Sequence, residues 1–319
     1  MDHLDSLRCF VAVAEAQGFA AAARRLGVSA PAMTRAIAAL EQRLGVLLLQ
    51  RSTRSVRLTD TGERFVHDCR RILADLDEAE GAASGVQSEA RGVLALTASQ
   101  MFGRLHVAAI AQDFLHQHPR VQLRTLFADR LVNLLDEGMD VAVRIAQLPD
   151  SGLTALKVGA LRRVVVASPD YLARHGRPQQ PQDLTRHRAI GFSFDGVVAQ
   201  PWQFGSGKAQ QTVTPTIDWV SNLSDVGIGA ALAGHGLTRC LAYQAAEAVR
   251  RGALSIVLAE FEPPPVPVHI VYPAGRRAPA KVRAFVDFAA ERLRREPILQ
   301  GGGLEPVSGP APQGGVRPS

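Results

Sequence analysis

The chain has 319 residues, 46% of them hydrophobic, with a net charge of +6 and a pI near 9.8. That length can bury a large core and predicts more than one domain, while the basic balance favours a polyanionic partner without requiring one. Met1–Asp5 is acidic where a secretory signal is basic, and no stretch reaches the roughly 18 uninterrupted apolar residues of a membrane helix, so no membrane partner and a cytoplasmic location are expected.

In chain order, the first informative stretch is residues 18–62, which reads as two short helices at a tight turn and then a basic hairpin. The first helix is expected over Phe19–Leu26, with Ala20–Ala23 small enough for a close crossing. Gly27 can take the left-handed conformation that ends a helix. Ser29 can cap the next helix with its hydroxyl, and Pro31 suits its first turn. Met33, Ile37, Leu40 and Leu44 recur at helical spacing and predict one buried face. Ala30, Pro31, Ala32, Thr34, Arg35 and Ala38 are left outward, a small and polar face suited to a DNA groove. Gln50–Leu58 then carries Arg51, Arg54 and Arg57 with no acid. Such a hairpin can lay cations along phosphates and place an arginine tip in the minor groove. Together these segments predict a winged helix-turn-helix that docks on double-stranded DNA.

Thr59 opens a long helix, with Asp60 and Glu63 at its positive end. Phe65, Cys69, Ile72, Leu76, Ala79, Ala83 and Val86 repeat at spacings of four and three, the heptad of a coiled coil. The expected use is dimerisation through Phe65, Cys69, Ile72 and Leu76, holding two DNA-reading heads over an inverted repeat. Residues 84–92 form a small polar joint.

Beyond it, strands at Val93–Thr97, Val121–Phe127 and Val141–Ile145 alternate with helices at Phe102–Phe114 and Leu131–Leu135. A second set contains strands at Val164–Ala167, Ala189–Phe192 and Thr212–Ile217, with helices at Tyr171 and over Leu223–Ala233. A last strand, Val268–Tyr272, and a helix, Val282–Leu293, close the chain. The alternation predicts α/β lobes with mostly parallel sheets, joined by crossings near Gly159–Val164 and Pro263–Val268. Ligands in such sheets bind at the C-terminal strand ends. This points to Ser99, Gln100, Asp129, Arg144 and Ile145 in the first lobe, and to Phe192, Ser193, Phe194, Ser221 and Asn222 in the second. Each has a plain structural alternative: a capping hydroxyl, a core aromatic or an ion-paired arginine. Cys9, Cys69 and Cys240 lie among apolar neighbours without metal spacing and are expected to be buried thiols.

With these elements assembled, the chain resembles the LysR-type bacterial transcriptional regulators from Leu4 to about Leu293. The resemblance rests on LRCFVAVAEAQGF, AAARRLGVS, TRAIAALEQRLGVLLLQRSTRSVRLTDTG, HPRVQL, LLDEGMDVAVRI, VASPDYLARHG and VYPAGRRAPAKVRAFVDF. It implies an α/β architecture of three parts: an N-terminal winged helix-turn-helix, a long linker helix, and a two-lobed effector domain resembling periplasmic solute-binding proteins. It also implies that Ala30, Pro31, Thr34 and Arg35 meet the major groove and Arg54 the minor groove. The expected domains are 1–59 for DNA binding, 60–89 for the linker helix, 90–297 for effector binding and a disordered tail over 298–319. Lobe I would span about 90–162 and 267–297, and lobe II about 163–266. The implied partners are operator DNA, a small-molecule effector such as an organic or aromatic acid, further copies of the chain as a dimer or tetramer, and RNA polymerase. No cofactor or metal is implied. Gly18 and Ala20 stand where the family usually has Ser and Thr, which implies a weaker helix cap and a lost phosphate contact.

Two rival readings are distinguishable. A pyridoxal-dependent enzyme would need a Schiff-base lysine, yet Lys157, Lys208 and Lys281 are the only lysines and none has a phosphate cradle beside it. There is also no G-x-S-x-G elbow. A ligand-independent regulator that uses its C-terminal half only for assembly remains the open alternative.

Overall fold

A computed structural model describes residues 2–51, 56–83, 89–130, 132–134, 136–149, 152–193, 201–273, 278–301 and 304. The side chains of Arg51, Arg71, Ala74, Asp75 and residues 77–83 fall outside that description, as do residues Arg54, Val86 and Phe194 altogether. The chain divides into two compact units, Met1–Glu89 and Ala90–Ser319.

The first unit runs α1 (His3–Ala16), α2 (Phe19–Leu26), α3 (Ala30–Leu44), β1 (Leu49–Arg51), β2 (Val56–Leu58) and α4 (Asp60–Ala83). Helix α1, which the sequence reading did not assign, starts at a capping box. There Asp2 accepts from the His3 N–H, and Asp5 accepts from the Asp2 N–H at 3.1 Å. Its Leu7, Phe10 and Val13 share one core with Ala22, Ala23, Met33, Ile37, Leu40, Leu48, Val66 and Cys69. Each large side chain buried there contributes about 1.5–3 kcal/mol. The α2–α3 turn follows its sequence logic. Gly27 has φ +65°, and Ser29 Oγ accepts from the Ala32 N–H at 3.3 Å. Gly18 provides no side-chain cap to α2.

Two expectations fail in this unit. Leu44 is 37% exposed, because it lies in the last turn of α3, just before the left-handed Gly45. Cys69 does not belong to an outward seam. It is fully buried in the core of its own head, where Val66 joins it and Phe65 packs 5.7 Å from Phe10, centroid to centroid. Ile72, at 42% exposure, and the half-buried Leu76 remain beyond that core.

The second unit holds two five-stranded sheets. One is built from β3 (Gly92–Ala98), β4 (Val121–Phe127), β5 (Val141–Ile145), β6 (Leu153–Leu161) and, from much later in the chain, β14 (Val266–Pro273), in the order β4-β3-β5-β14-β6. The other contains β7 (Arg163–Ala167), β8 (Arg188–Phe192), β11 (Thr216–Ser221), β12 (Leu237–Leu241) and β13 (Ser255–Val257), in the order β11-β8-β12-β7-β13. A small hairpin, β9 (Trp202–Phe204) with β10 (Gln211–Val213), packs beside the second sheet. The helices are α5 (Gln100–Phe102), α6 (Ala108–Gln117), α7 (Pro169–His175), α8 (Ser224–Leu232), α9 (Ala242–Arg250) and α10 (Ala280–Arg295), and a π turn over Gly103–Val107 joins α5 to α6.

The sheets are mixed, not mostly parallel. β3 pairs in parallel with β4 and β5, but β14 returns antiparallel between β5 and β6. In the second sheet β8 is parallel to β11 and β12, while β7 is antiparallel to β12 and β13. The expected strand over Thr212–Ile217 is two strands, β10 and β11, of different sheets. The expected helix at Leu131–Leu135 does not form over its described residues, 132–134; one i+4 backbone bond, Glu137 N–H to the Asn133 carbonyl at 3.1 Å, is followed by a wider one from the Met139 N–H to the Leu134 carbonyl at 2.8 Å.

The chain crosses between lobes at Arg162 and returns through residues 258–265. Arg162 Nε and Nη2 donate to both Glu262 oxygens at 2.8 and 2.7 Å, and its Nη1 reaches the Leu304 carbonyl at 3.1 Å. That contact corrects the expected tail only at its start, over residues 298–301 and 304; residues 305–319 lie outside the described residues. Pro297–Leu299 is a 3-10 turn, Leu299 and Leu304 are buried, and Gln300 bridges Ala160.

Candidate nucleic-acid interface and ligand cleft

In the first unit, the faces of α3 divide sharply. Met33, Ala36, Ile37 and Leu40 are buried, while Ala30, Pro31, Thr34, Arg35 and Ala38 are exposed and Ala32 is intermediate. Helix periodicity alone imposes that division. Thr34 Oγ1 donates to the Ala30 carbonyl at 3.0 Å, leaving its lone pairs outward. Arg35 has no ion pair among the described residues, whereas Arg25 and Arg70 both engage Glu15, at 2.5 and 3.2 Å, and Arg43 engages His3. Arg35 is therefore free to meet an external acceptor.

The wing is rooted on the same helix. Glu41 of α3 is buried and its Oε1 accepts from the Leu48 and Leu49 N–H groups at 2.9 and 3.1 Å. This fixes the start of β1, whose Leu49, Gln50 and Arg51 pair antiparallel with Leu58, Arg57 and Val56. Helix α4 is fastened at the same place. Thr59 Oγ1 donates to the Leu47 carbonyl at 2.9 Å and accepts from the Gly62 N–H at 3.0 Å. A Cβ on Gly62 would lie 2.1 Å from the Leu48 carbonyl oxygen, so only glycine permits this approach. Sequence reading missed Glu41, whose acidic identity within a basic head is its only local signal.

In the second unit, the C-terminal ends of β3, β4 and β5 lie together, as Ala98 pairs with Phe127 and Val143. Ser99 and Gln100 follow there, and the Gln100 N–H donates to Asp129 Oδ1 at 2.9 Å. From the other lobe, Tyr243 of α9 packs edge-on against Phe102 at 5.3 Å and against His106 at 5.6 Å. The buried Ser99 hydroxyl faces the Tyr243 phenol and makes no hydrogen bond of normal geometry. Burial holds Asp129 above its ordinary carboxylate value; the Gln100 N–H opposes this and the charge of Asp225, in the first turn of α8, adds to it. Burial likewise raises the Tyr243 phenol and lowers His106.

The structure thus gathers Ser99, Gln100 and Asp129 beside Tyr243 and Asp225, two residues absent from the sequence candidates. The second strand-end group also forms: Phe192 pairs with Ser221, and the buried Ser193 donates its N–H to the Ser221 carbonyl at 3.0 Å. Ser221 Oγ accepts from the Leu223 N–H at 3.1 Å, while Asn222 is exposed and caps no helix. Two candidates go elsewhere. Ile145 packs into the first-lobe core, and Arg144 donates to the Val132 carbonyl at 3.0 Å, held below the ordinary arginine value by burial. All three cysteines are buried; burial pushes Cys69 up to about 11 and Cys240 up to about 12, so both are neutral thiols near pH 7.

Comparison with known proteins extends across both units. Residues 4–63 match the family model described as bacterial regulatory helix-turn-helix protein, lysR family, and residues 87–294 match the LysR substrate binding domain. The chain is 33% identical to an HTH-type transcriptional repressor of Pseudomonas aeruginosa over 97% of this chain and 96% of that protein. It is 35% identical to the HTH-type transcriptional regulator PtxR of the same species, over 93% and 95% of the two chains. Among solved structures, CrgA from Neisseria meningitidis, a LysR-type transcriptional regulator, aligns with a TM-score of 0.58 at 29% identity, covering 91% of this chain and 98% of CrgA.

Proposed function

The chain belongs to the LysR family of DNA-binding transcriptional regulators with an effector-binding domain, and we propose how its own residues divide that work. Helix α3 enters the major groove with Ala30, Pro31, Thr34 and Arg35 toward the bases, while Arg51 and Arg54 of the wing meet phosphates and the minor groove. The observation that carries this reading is the two-faced burial of α3, with Arg35 exposed and without an ion pair. Ile72 and Leu76 of α4 join two copies, which places two heads on an inverted repeat in the cytoplasm, where RNA polymerase is the downstream partner. The domain division 1–59, 60–89 and 90–297 follows that assignment. The protein acts by binding, without catalysis.

The effector sits between the lobes, against Ser99, Gln100 and Asp129 on one side and Ser193, Phe192 and Asn222 on the other. The unpartnered Ser99 hydroxyl favours a ligand there over a purely structural second unit. The neighbouring Asp129 and Asp225 require that an acidic effector present a hydrogen-bond donor at this end and keep its carboxylate away. A thermal-shift screen of small organic and aromatic acids identifies the effector, and footprinting with and without it tests the coupling. An effector that binds but leaves the footprint unchanged overturns the coupling.

A further inference from the structure

The antiparallel β7–β12 ladder carries two arginines whose surroundings differ from those of every other cation in the second lobe. Its register sets Arg239 opposite Val165 and Leu241 opposite Arg163, making the two arginines diagonal neighbours. Strand alternation assigns their face. Val164, Val166 and Cys240 pack with α8 and α9, whereas Val165, Ala167 and Leu237 pack on the opposite side with Tyr171, Trp202 and Phe204. Arg163 and Arg239 are in step with the second set and so lie on the side away from α8 and α9. The Arg239 guanidinium stands 5.2 Å from the centroid of the buried Trp202 ring.

Both arginines are half-buried, and among the described residues neither has a carboxylate or carbonyl acceptor. The adjoining Arg162 shows the contrast, held by both oxygens of Glu262. Arg177 and Arg174 likewise find the carbonyls of Ile256 and Gly234. Burial holds Arg163 below the ordinary arginine value. Burial and the charge of Arg163 together bring Arg239 down to about 10. Two guanidiniums partly withdrawn from water at diagonal positions of one ladder, each feeling the other's charge, are a destabilising arrangement unless something anionic joins them. Their planar forks match the paired oxygens of an oxyanion.

We propose that Arg163 and Arg239 form an anion-binding site on the Trp202 side of the second sheet, taking a small free oxyanion of the carboxylate, sulfate or phosphate type between the two guanidiniums. The site lies on the sheet face opposite the α8 and α9 packing, and it stands independently of the effector reading given above. A bound oxyanion cancels the repulsion between the arginines, fixes the β7–β12 ladder beside the crossing at Arg162, and seats Arg239 on Trp202.

The test uses the full chain carrying Trp219→Phe, which leaves Trp202 as its single tryptophan. Sulfate, inorganic phosphate and malonate are each titrated against chloride at constant ionic strength, and Trp202 fluorescence is read. The expected result is a saturable change at millimolar or lower concentration for at least one probe, weakened tenfold or more by Arg163→Gln. Arg239→Gln, read by calorimetry because it also removes the ring contact, should lose the same binding. In chloride, Arg163→Gln should melt no lower than the parent, since one of two unpaired cations is gone and no ring contact is lost with it. If one variant fails to fold, the other together with Arg239→Lys, which keeps the charge and loses the fork, decides the matter. Absence of saturable binding by all three probes, or equal binding by parent and Arg163→Gln, overturns the site.

Discussion

Removing the Glu41 carboxylate should loosen the wing without touching a DNA contact. Its Oε1 is the acceptor for two N–H groups, at 2.9 and 3.1 Å, where both Leu48 and Leu49 are buried. Glu41→Leu keeps the side-chain bulk and orphans both donors. Each buried unsatisfied donor costs about 1–3 kcal/mol, so ~2 kcal/mol is a modest total for the pair. At 1.4 kcal/mol per factor of ten, that is about thirtyfold. Glu41→Gln retains one acceptor oxygen and should lose about 1 kcal/mol or less. Hydrogen exchange followed by mass spectrometry reads the effect directly. Amides of residues 46–51 should exchange about thirtyfold faster in Glu41→Leu, while those of β7 in the other unit serve as an unchanged reference. DNA affinity should fall with wing protection, more for Leu than for Gln. Unchanged exchange at 46–51 in Glu41→Leu would refute the claim that α3 anchors the wing.

Three further outcomes follow from the same geometry. Ile72→Asp with Leu76→Asp places unpartnered charges where two copies meet, so light scattering should report a smaller species and two-half-site binding should collapse; an unchanged mass removes these residues from the seam. Ser99→Ala with Asn222→Ala should weaken effector binding about tenfold in calorimetry while leaving basal operator binding intact, and full-strength binding by the variant would return both residues to structural roles. Because the folded state raises Asp129, its contribution is present at acidic pH and is lost as pH rises through the folded value. Asp129→Asn should therefore melt above the parent at pH 7, with the gain shrinking as pH falls through the raised folded value and levelling off once pH is below the ordinary carboxylate range. A pH-independent difference contradicts that origin.

The head was legible because its signals are local. Gly27, Ser29 and Pro31 act within one turn, and Met33, Ile37 and Leu40 mark a face by periodicity alone. Periodicity does not say which surface covers a face, which is why Cys69 fits a heptad and yet packs beside Phe10 in its own head. It also cannot report that Leu44 lies past the last covered turn of α3. In the second unit, the strand ends carrying Ser99, Asp129 and Phe192 followed from apolar runs with β-propensity. β12, α9 and with them Tyr243 escaped detection, since Gly236–Arg250 mixes Thr, Arg and Cys with alanines and lacks a clear strand-to-helix break. The antiparallel insertion of β14 depends on pairing across more than a hundred residues, a distance at which local patterning carries no register.

The division of α3 into a buried face and a DNA-reading face is tested most directly at Arg35. Operators selected from a randomised duplex pool by the full chain are bound to wild type and Arg35→Ala at one fixed salt concentration. Arg35 is exposed and unpaired by any described acid, so the variant should retain wild-type stability within about 0.5 kcal/mol. Its affinity should fall by about 1–3 kcal/mol, roughly 5- to 150-fold, with relaxed preference at one symmetric position in each half-site. Equal affinity and an unchanged preference in the folded variant would contradict the assignment of α3 as the recognition helix.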